Sequence, residues 1–172
     1  MKNATISAIR NNVLLKNSNL LELNIWRNSG LLLTVGSGNT IYKEGDESDS
    51  IYLVINGKIG LIKRNKSGKP SSSAFSNYDF FGAKELFAGT KRCSMAFALE
   101  ESTLFQITKK EIQRLTEEDD NILYNVQKGN KDFKFDRTLI DLDDERHMSY
   151  KNENLIFSEK EMNKILYFLI LR

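Results

Sequence analysis

Few residues in this chain could carry catalytic or metal chemistry. It has one cysteine, Cys93, and one histidine, His147, in 172 residues. A single cysteine excludes an intramolecular disulfide and a cysteine-clustered metal site, and a single histidine leaves little for zinc binding or histidine-based catalysis. Cys93 directly follows Arg92. A thiol with a lowered pKa that acts as a redox switch is therefore one hypothesis, and a small residue packed at the start of a strand is the alternative.

Charge is balanced over the whole chain but clustered in two places. There are 25 Lys+Arg and 23 Asp+Glu, a net charge of +2, so strong and sequence-independent binding to nucleic acid is not expected. The acidic residues in 141–145 could bind a cation, but they lack a turning glycine, and a solvated face is the alternative. The basic residues in 63–69 are predicted to lie in an exposed hairpin loop. Neither cluster indicates a defined site.

Length and hydropathy indicate a folded protein outside the membrane. With 40% hydrophobic and 28% charged residues, 172 residues suit one domain with a short extension. The longest apolar run, Ile165 to Leu171, is far shorter than the roughly 20 residues of a membrane span. Met1 to Arg10 lacks the apolar core of a signal peptide. We therefore expect a cytoplasmic protein without membrane contact.

The central part of the chain has the pattern of short β-strands. Nine of the ten glycines precede residue 90, and short apolar runs alternate with turn residues. Ser71–Ser73 after Pro70 is interpreted as a flexible hairpin tip. This spacing predicts a β-sandwich or jelly roll. The predicted strands are Leu31–Val35, Thr40–Tyr42, Ile51–Ile55, Lys58–Lys63, Met95–Ala98 and Leu104–Thr108.

Helices are predicted on both sides of these strands. An N-terminal helical segment, residues 1–30, contains a predicted helix from about Ser18 to Gly30. Apolar residues at three and four spacings predict a helix over Lys109 to Asp132. We therefore divide the chain into residues 1–30, a β-barrel with its helices over 31–132, and a C-terminal helical extension over 133–172.

The turn spacing in Gly38 to Ile59 carries a family resemblance. Three glycines, at 38, 45 and 57, an acidic turn at Asp46 and an aromatic residue at Tyr52 lie at matching positions. The segment resembles the first half of the cyclic nucleotide-binding domain family, found in catabolite activator proteins and in regulatory subunits of cyclic-nucleotide-dependent kinases. The resemblance implies a jelly-roll β-barrel with N- and C-terminal helices.

A second segment, Phe81 to Met95, is similar to the phosphate-binding cassette of that family. Gly82, Leu86 and Arg92 fix the register. In the family, amides at the start of a short helix face the cyclic phosphate and the arginine binds its oxygens. The resemblance thus implies a ligand-binding set of Gly82, Ala83, Lys84, Glu85, Leu86, Arg92, Cys93 and Ser94.

The cassette departs from the family pattern at one position. The glutamate that accepts the ribose 2′-hydroxyl is replaced by Ala83. Losing a hydrogen bond to a charged group, worth roughly 1.5–3 kcal/mol, weakens binding by about one to two orders of magnitude. Glu85 lies about 200° from Ala83 around a helix, so it is predicted to face away from the ligand. It is interpreted as a solvated residue, or as an ion-pair partner of Lys84 or Arg92.

The predicted function is regulatory and not enzymatic. On the resemblance, cAMP or cGMP enters the barrel, and binding is transmitted through the C-terminal helices, which also form a homodimer. No other cofactor is implied. The alternative is a degenerate domain of the same fold that binds no nucleotide and acts as a protein-interaction module. A cupin-like enzyme would need a metal cluster that one histidine cannot provide. Residues 130–172 carry 8 Lys+Arg and 9 Asp+Glu without a glycine turn, so DNA binding by this chain is not expected.

Overall fold

A computed structural model describes residues 3–19, 30–64, 70–132 and 138–139 of the protein. These residues form two antiparallel sheets and four α-helices. The helices are α1 (Asn3–Arg10), α2 (Ala83–Ala88), α3 (Lys109–Glu118) and α4 (Asp120–Asp132), with a 3₁₀ turn at Val13–Leu15. The strands are β1 (Gly30–Val35), β2 (Thr40–Tyr42), β3 (Ser50–Asn56), β4 (Ile59–Arg64), β5 (Pro70–Phe75), β6 (Phe80–Phe81), β7 (Met95–Ala98), β8 (Ser102–Thr108) and β9 (Thr138–Leu139).

The two sheets pack face to face as a jelly roll. One sheet has the strand order β1-β8-β3-β6, and the other has the order β2-β7-β4-β5-β9. All strand pairs recorded in both sheets are antiparallel. Stacked sheets of this kind bury alternate residues of each strand between them. The predicted fold class is confirmed.

Strand β3 explains how one short sequence supports two cores. Its first six residues are all buried, although successive side chains of a strand point to opposite faces. Ile51 and Leu53 join a helix-side core with α1, α3 and α4, whereas Tyr52 and Val54 join an inter-sheet core. A strand covered on both faces reads as a continuous apolar run, as the sequence Ile-Tyr-Leu-Val-Ile does here.

Three strands depart from the sequence prediction, and one of them, β9, lies in the predicted C-terminal helical extension, where Thr138 and Leu139 pair with Ser72 and Ser71 of β5. Ser71–Ser73 are not a hairpin tip, because they lie within β5 and pair with Leu61, Ile62 and Lys63 of β4. Serine has little intrinsic preference for strands, and here the ladder to β4 decides the conformation. The two-residue strand β6 was also not predicted. It pairs Phe80 and Phe81 with β3 and leads directly into α2.

The predicted helix over Lys109 to Asp132 is interrupted at Asp119. This residue has an extended backbone, with φ −150° and ψ 108°, and it separates α3 from α4. Its side chain accepts hydrogen bonds from the amide and the Nδ2 of Asn121, at 2.9 and 3.0 Å. Aspartate is a favoured residue at a helix start because its carboxylate satisfies amides that the helix leaves unpaired. The break therefore has a local cause.

The N-terminal segment covers the helix-side core. Helix α1 was not predicted, and the predicted helix from Ser18 to Gly30 lies mostly outside the described residues. Ile9, Leu14 and Leu15 are fully buried against the helices that follow the barrel. Asn125 of α4 donates hydrogen bonds to the carbonyls of Leu14 and Lys16 at 2.9 and 2.7 Å. The N-terminal segment and α4 thus share one core with Ile51 and Leu53 of β3.

Most of the predicted C-terminal extension, including His147, the acidic cluster and the terminal helix, lies outside the described residues. Among the described residues, no helix is both long and apolar enough to cross a membrane.

Replacing Asp119 with alanine is expected to lower the free energy of unfolding by about 2 kcal/mol. The Asp119 carboxylate also accepts hydrogen bonds from the Ser18 hydroxyl at 2.8 Å and the Asn19 amide at 2.6 Å, which tie the N-terminal segment to the helix pair. Burial acts to raise the pKa of Asp119, but these hydrogen bonds together outweigh it and hold the pKa below its usual value.

Because the folded-state pKa of Asp119 is lowered, its contribution is present above the unfolded-state value of about 3.9 and is lost as the pH falls through the folded-state pKa. Urea denaturation at pH 7 and pH 3 measures this directly. The exposed neighbour Asp120 is the matched control. Equal losses for Asp119→Ala and Asp120→Ala, or an equal Asp119→Ala loss at both pH values, would contradict the assignment.

Candidate functional site

The segment between β6 and β7 contains the cassette predicted from the sequence. Gly82 precedes α2 with φ +81° and has the left-handed conformation that favours glycine. A Cβ at this position would lie 2.8 Å from Nη1 of Arg92 and 3.3 Å from the Ser50 carbonyl oxygen. A side chain at 82 would therefore displace the arginine. Gly82 permits both the turn and the close approach of Arg92.

A small cavity opens beside α2, between the helix and the second sheet. Its volume is about 50 Å³. That is room for a few water molecules, and it is well below the roughly 300 Å³ at which small-molecule sites begin. The described residues that line it are Leu61, Lys63, Ser71, Ser73, Phe75, Phe80, Phe81, Gly82, Ala83, Lys84, Glu85, Cys93 and Ser94.

Arg92 lies behind this cavity and is turned into the protein. The residue is 2% exposed. Nη1 donates a hydrogen bond of 2.6 Å to the carbonyl of Gly82, and Nη2 donates one to the carbonyl of Ser50. The guanidinium carbon stands 4.3 Å from the centre of the Tyr42 ring, in a cation–π arrangement. The guanidinium is thus held by β2, β3 and the start of α2.

Glu85 is the acidic partner of this arginine. Its Oε2 lies 4.0 Å from Nη1 of Arg92, and its Oε1 accepts a hydrogen bond of 2.6 Å from the Cys93 thiol. Glu85 is 7% exposed, so its interpretation as a solvated residue is wrong and the ion pair with Arg92 is present. It also lines the cavity together with Ala83. The prediction that Glu85 faces away from the site is wrong, because its long side chain reaches around the six-residue helix α2 to the buried charge of Arg92.

Aromatic rings form the floor of the site. Phe81 stacks on Tyr52 at a centroid distance of 5.1 Å and lies 5.6 Å from Phe75. Tyr42 adjoins Phe81 at 6.1 Å, and burial raises the pKa of its hydroxyl. That hydroxyl lies against Ser94. Within the described residues, neither hydroxyl completes a hydrogen bond of good geometry.

The structure divides the predicted ligand-binding set into three groups. Six members border the cavity, namely Gly82, Ala83, Lys84, Glu85, Cys93 and Ser94. Leu86 instead packs into the helix-side core, and Arg92 lies behind the cavity wall. Sequence reasoning missed Tyr42 and the Ser50 carbonyl, which hold Arg92. A main-chain acceptor leaves no signal in the sequence, and Tyr42 is one of six tyrosines.

The environment of Cys93 opposes the proposed redox switch. Burial, followed by the hydrogen bond and the charge of Glu85, raises the pKa of the thiol to about 11. The positive charges of Lys63 and Lys84 act in the other direction but are outweighed. The guanidinium of the sequence neighbour Arg92 is directed at the carbonyls of Gly82 and Ser50. Cys93 is therefore held as a thiol at neutral pH.

Cys93 is expected to react about 100-fold more slowly with iodoacetamide at pH 8 than a thiol at its ordinary pKa, because only the thiolate is the nucleophile. Glu85→Gln removes the negative charge that contacts the thiol, so it should increase the rate. Alkylation followed by mass spectrometry from pH 7 to pH 10 measures both proteins. Glu47→Gln, whose side chain is 77% exposed, is the matched control. A wild-type rate equal to that of free cysteine would contradict the assignment.

The described residues offer no alternative metal chemistry. Within this part of the chain, no three His, Cys, Asp or Glu side chains lie together as a metal site. Of the basic cluster predicted from the sequence, Lys63 lies at the cavity wall, and the side chains of residues 64–69 are not described. The site is thus a small cavity with rim lysines and a buried ion pair at its base.

Comparison with known proteins decides the family. The sequence model of one protein family, described as Cyclic nucleotide-binding domain, matches residues 32–119 of this chain. The chain belongs to the cyclic nucleotide-binding domain family. The match begins in β1 and ends at Asp119, so it includes most of β1, all of β2 to β8, α2 and α3. The resemblance predicted from Gly38–Ile59 and Phe81–Met95 is confirmed.

This cyclic nucleotide-binding domain is similar to segments of longer proteins. Lysophospholipase nte1 of Neurospora crassa is 32% identical over 95 residues, which are 55% of this chain and 6% of that protein. The regulatory subunit of a cAMP-independent protein kinase A from Trypanosoma brucei has a TM-score of 0.68 at 13% identity, covering 76% of this chain and 47% of that one. The Catabolite Activator Protein of Thermus thermophilus has a TM-score of 0.58 at 20% identity, covering 70% and 55%. The two structural likenesses establish a shared fold.

Proposed function

We propose that this domain is a regulatory, protein-interaction member of its family that does not take cAMP or cGMP as a ligand. The observation that carries the proposal is the state of Arg92. The arginine of the cassette has 1% of its side chain exposed, and its Nη1 and Nη2 donate hydrogen bonds to the carbonyls of Gly82 and Ser50, while its Nε has no hydrogen-bond partner among the described residues. Two main-chain acceptors and a carboxylate take the place that a cyclic phosphate would need.

Two features of the cavity support the same proposal. Ala83 stands where the family has a glutamate, and its methyl group cannot accept a hydrogen bond from the ribose. The Glu85 carboxylate borders the cavity and repels a phosphate in a partly buried setting, where charges interact more strongly than in water. The volume of about 50 Å³ is also small for a nucleotide.

The fold is compatible with regulation that needs no cyclic nucleotide. The Trypanosoma brucei neighbour belongs to a protein kinase A that is cAMP-independent. The Neurospora crassa relative is a lysophospholipase, but the match covers 6% of that protein. We therefore assign this chain a regulatory and not a catalytic part, with its effect exerted through contacts of the domain with other proteins or other domains.

Cyclic-nucleotide sensing is the second candidate function. The observation in its favour is the cassette register, with Gly82 in the left-handed conformation and Arg92 ten residues later. Under this alternative, a ligand would draw the guanidinium away from the two carbonyls, open the cavity and shift α3 and α4. The two candidates differ in whether the wild-type protein binds a cyclic nucleotide.

Isothermal titration calorimetry of the purified chain with cAMP and cGMP separates the two candidates. The proposed function predicts no saturable heat at millimolar ligand. 5′-AMP, which lacks the cyclic phosphate, serves as the control for non-specific nucleotide binding. Saturable binding of cAMP or cGMP, with none for 5′-AMP, would reject the proposal and establish the sensor.

A further inference from the structure

The burial of Glu85 needs a physical reason. Its side chain is 9% exposed, while its neighbour on α2, Lys84, is exposed at the rim. Burying a carboxylate is costly unless it is paired and hydrogen-bonded. Here the Arg92 guanidinium supplies the opposite charge at 4.0 Å, and the Cys93 thiol supplies a hydrogen bond. The pair holds both side chains beneath the cavity without any external ion.

The charges around the cavity do not otherwise exclude an anion. Lys63 and Lys84 both border it, and both carry positive charge. Behind the wall, Arg92 adds a third positive charge. Without Glu85, the described residues that line the cavity would carry no negative charge. Glu85 is the acidic residue among the described residues that line the cavity, and it neutralises the arginine that lies closest to it.

We propose that Glu85 is the specificity-determining residue of this site. Its carboxylate serves as a built-in substitute for the ligand phosphate, balances Arg92 from inside the protein, and so excludes anionic ligands. The inference rests on the proposed function and adds a cause to it. Glu85, and not the missing acceptor at Ala83 alone, makes the cassette unable to bind a cyclic nucleotide.

Variants at positions 83 and 85 distinguish the effect of the missing acceptor at Ala83 from the effect of the Glu85 charge. The proteins to compare are the wild type, Ala83→Glu, Glu85→Ala, Glu85→Gln and the double variant Ala83→Glu/Glu85→Ala. Each is titrated with cAMP by calorimetry, with circular dichroism as the check on folding. Glu85→Gln keeps the shape of the side chain and an oxygen that can accept the Cys93 hydrogen bond, while it removes the charge and replaces the second acceptor oxygen by an amide donor.

The expected order of affinity follows from the charges. Wild type and Ala83→Glu bind no cAMP, because Glu85 still balances Arg92. Glu85→Ala and Glu85→Gln gain weak binding, at least about tenfold above the limit set by the wild type, since one like charge has been removed. The double variant binds about tenfold more tightly again, because it also regains the ribose acceptor.

Three results would overturn the inference, and they can be told apart. Binding by Ala83→Glu alone would make the missing acceptor the cause. A folded Glu85→Gln protein and a folded double variant that both fail to bind would show that Glu85 is not what excludes the ligand. Binding of cAMP by the wild type would instead reject the proposed function itself. If Glu85→Ala does not fold, Glu85→Gln and the wild type still decide the question.

Discussion

Replacing Arg92 with leucine is expected to lower the free energy of unfolding by about 3–5 kcal/mol, because breaking a buried ion pair leaves its partner uncompensated. The substitution leaves three groups without the guanidinium that they contact: the carbonyls of Gly82 and Ser50, and the carboxylate of Glu85. It also removes the cation that packs on the Tyr42 ring. Urea denaturation followed by far-UV circular dichroism measures the change.

Two further variants define the role of this arginine. Arg92→Lys keeps the charge but loses the planar fork that reaches two carbonyls, so its loss should be intermediate. Lys91→Leu is the matched control, because the Lys91 side chain is 67% exposed and pairs only at the surface with Glu47. A ligand-binding arginine in an empty site has little effect on the stability of the free protein. A loss below about 1 kcal/mol for Arg92→Leu would therefore contradict the structural role.

Replacing Gly57 with alanine is expected to cost about 3 kcal/mol, through backbone strain and overpacking together. Gly57 connects β3 to β4 with φ +100°, where an L-residue is strained. An added Cβ would also lie 2.7 Å from the Cα of Ser102 and closer still to its hydroxyl. Since the main-chain atom cannot move without shifting β8, the clash disrupts the joint between the two sheets.

Gly38→Ala is the matched control for this substitution. Gly38 has a similar φ of +84°, but apart from its chain neighbours no atom of the described residues lies within 4 Å of the added Cβ. It therefore carries the strain without the clash, and about 1 kcal/mol is expected. Thermal and urea denaturation of both variants give the comparison. Equal losses at the two positions would show that contact with Ser102 contributes nothing.

Much of the fold could be predicted from the sequence because short apolar runs and glycine turns are local signals. β2 and β7 were predicted with the observed bounds, and β1, β3, β4 and β8 to within two residues. β5 was missed because its serines carry no apolar alternation, and only the ladder to β4 makes them a strand. The break at Asp119 was missed because the apolar spacing continues across it, although its cause is local: the Asp119 carboxylate accepts hydrogen bonds from Asn121 at the start of α4.

The sequence predicted where the site lies along the chain, but it did not predict the direction in which the Arg92 and Glu85 side chains point. The interval from Gly82 to Arg92 located the cassette, and family membership confirms the resemblance on which it rested. The direction of the Arg92 side chain depends on the Ser50 carbonyl, 42 residues earlier, and on the Tyr42 ring. Such contacts come from tertiary packing, and no local pattern encodes them. For the same reason the sequence could not show that Glu85 turns inward.

In the proposed function, the two carbonyls and the Glu85 carboxylate that contact Arg92 take the place that a cyclic phosphate would need. An NMR titration of the ¹⁵N-labelled protein with cAMP tests this most directly, because the family resemblance predicts that a phosphate would bind beside the amides of Ala83 to Leu86 and of Cys93. We predict that these resonances stay unshifted at millimolar cAMP. Progressive, saturable shifts confined to these amides would contradict the account and establish a working cyclic-nucleotide site.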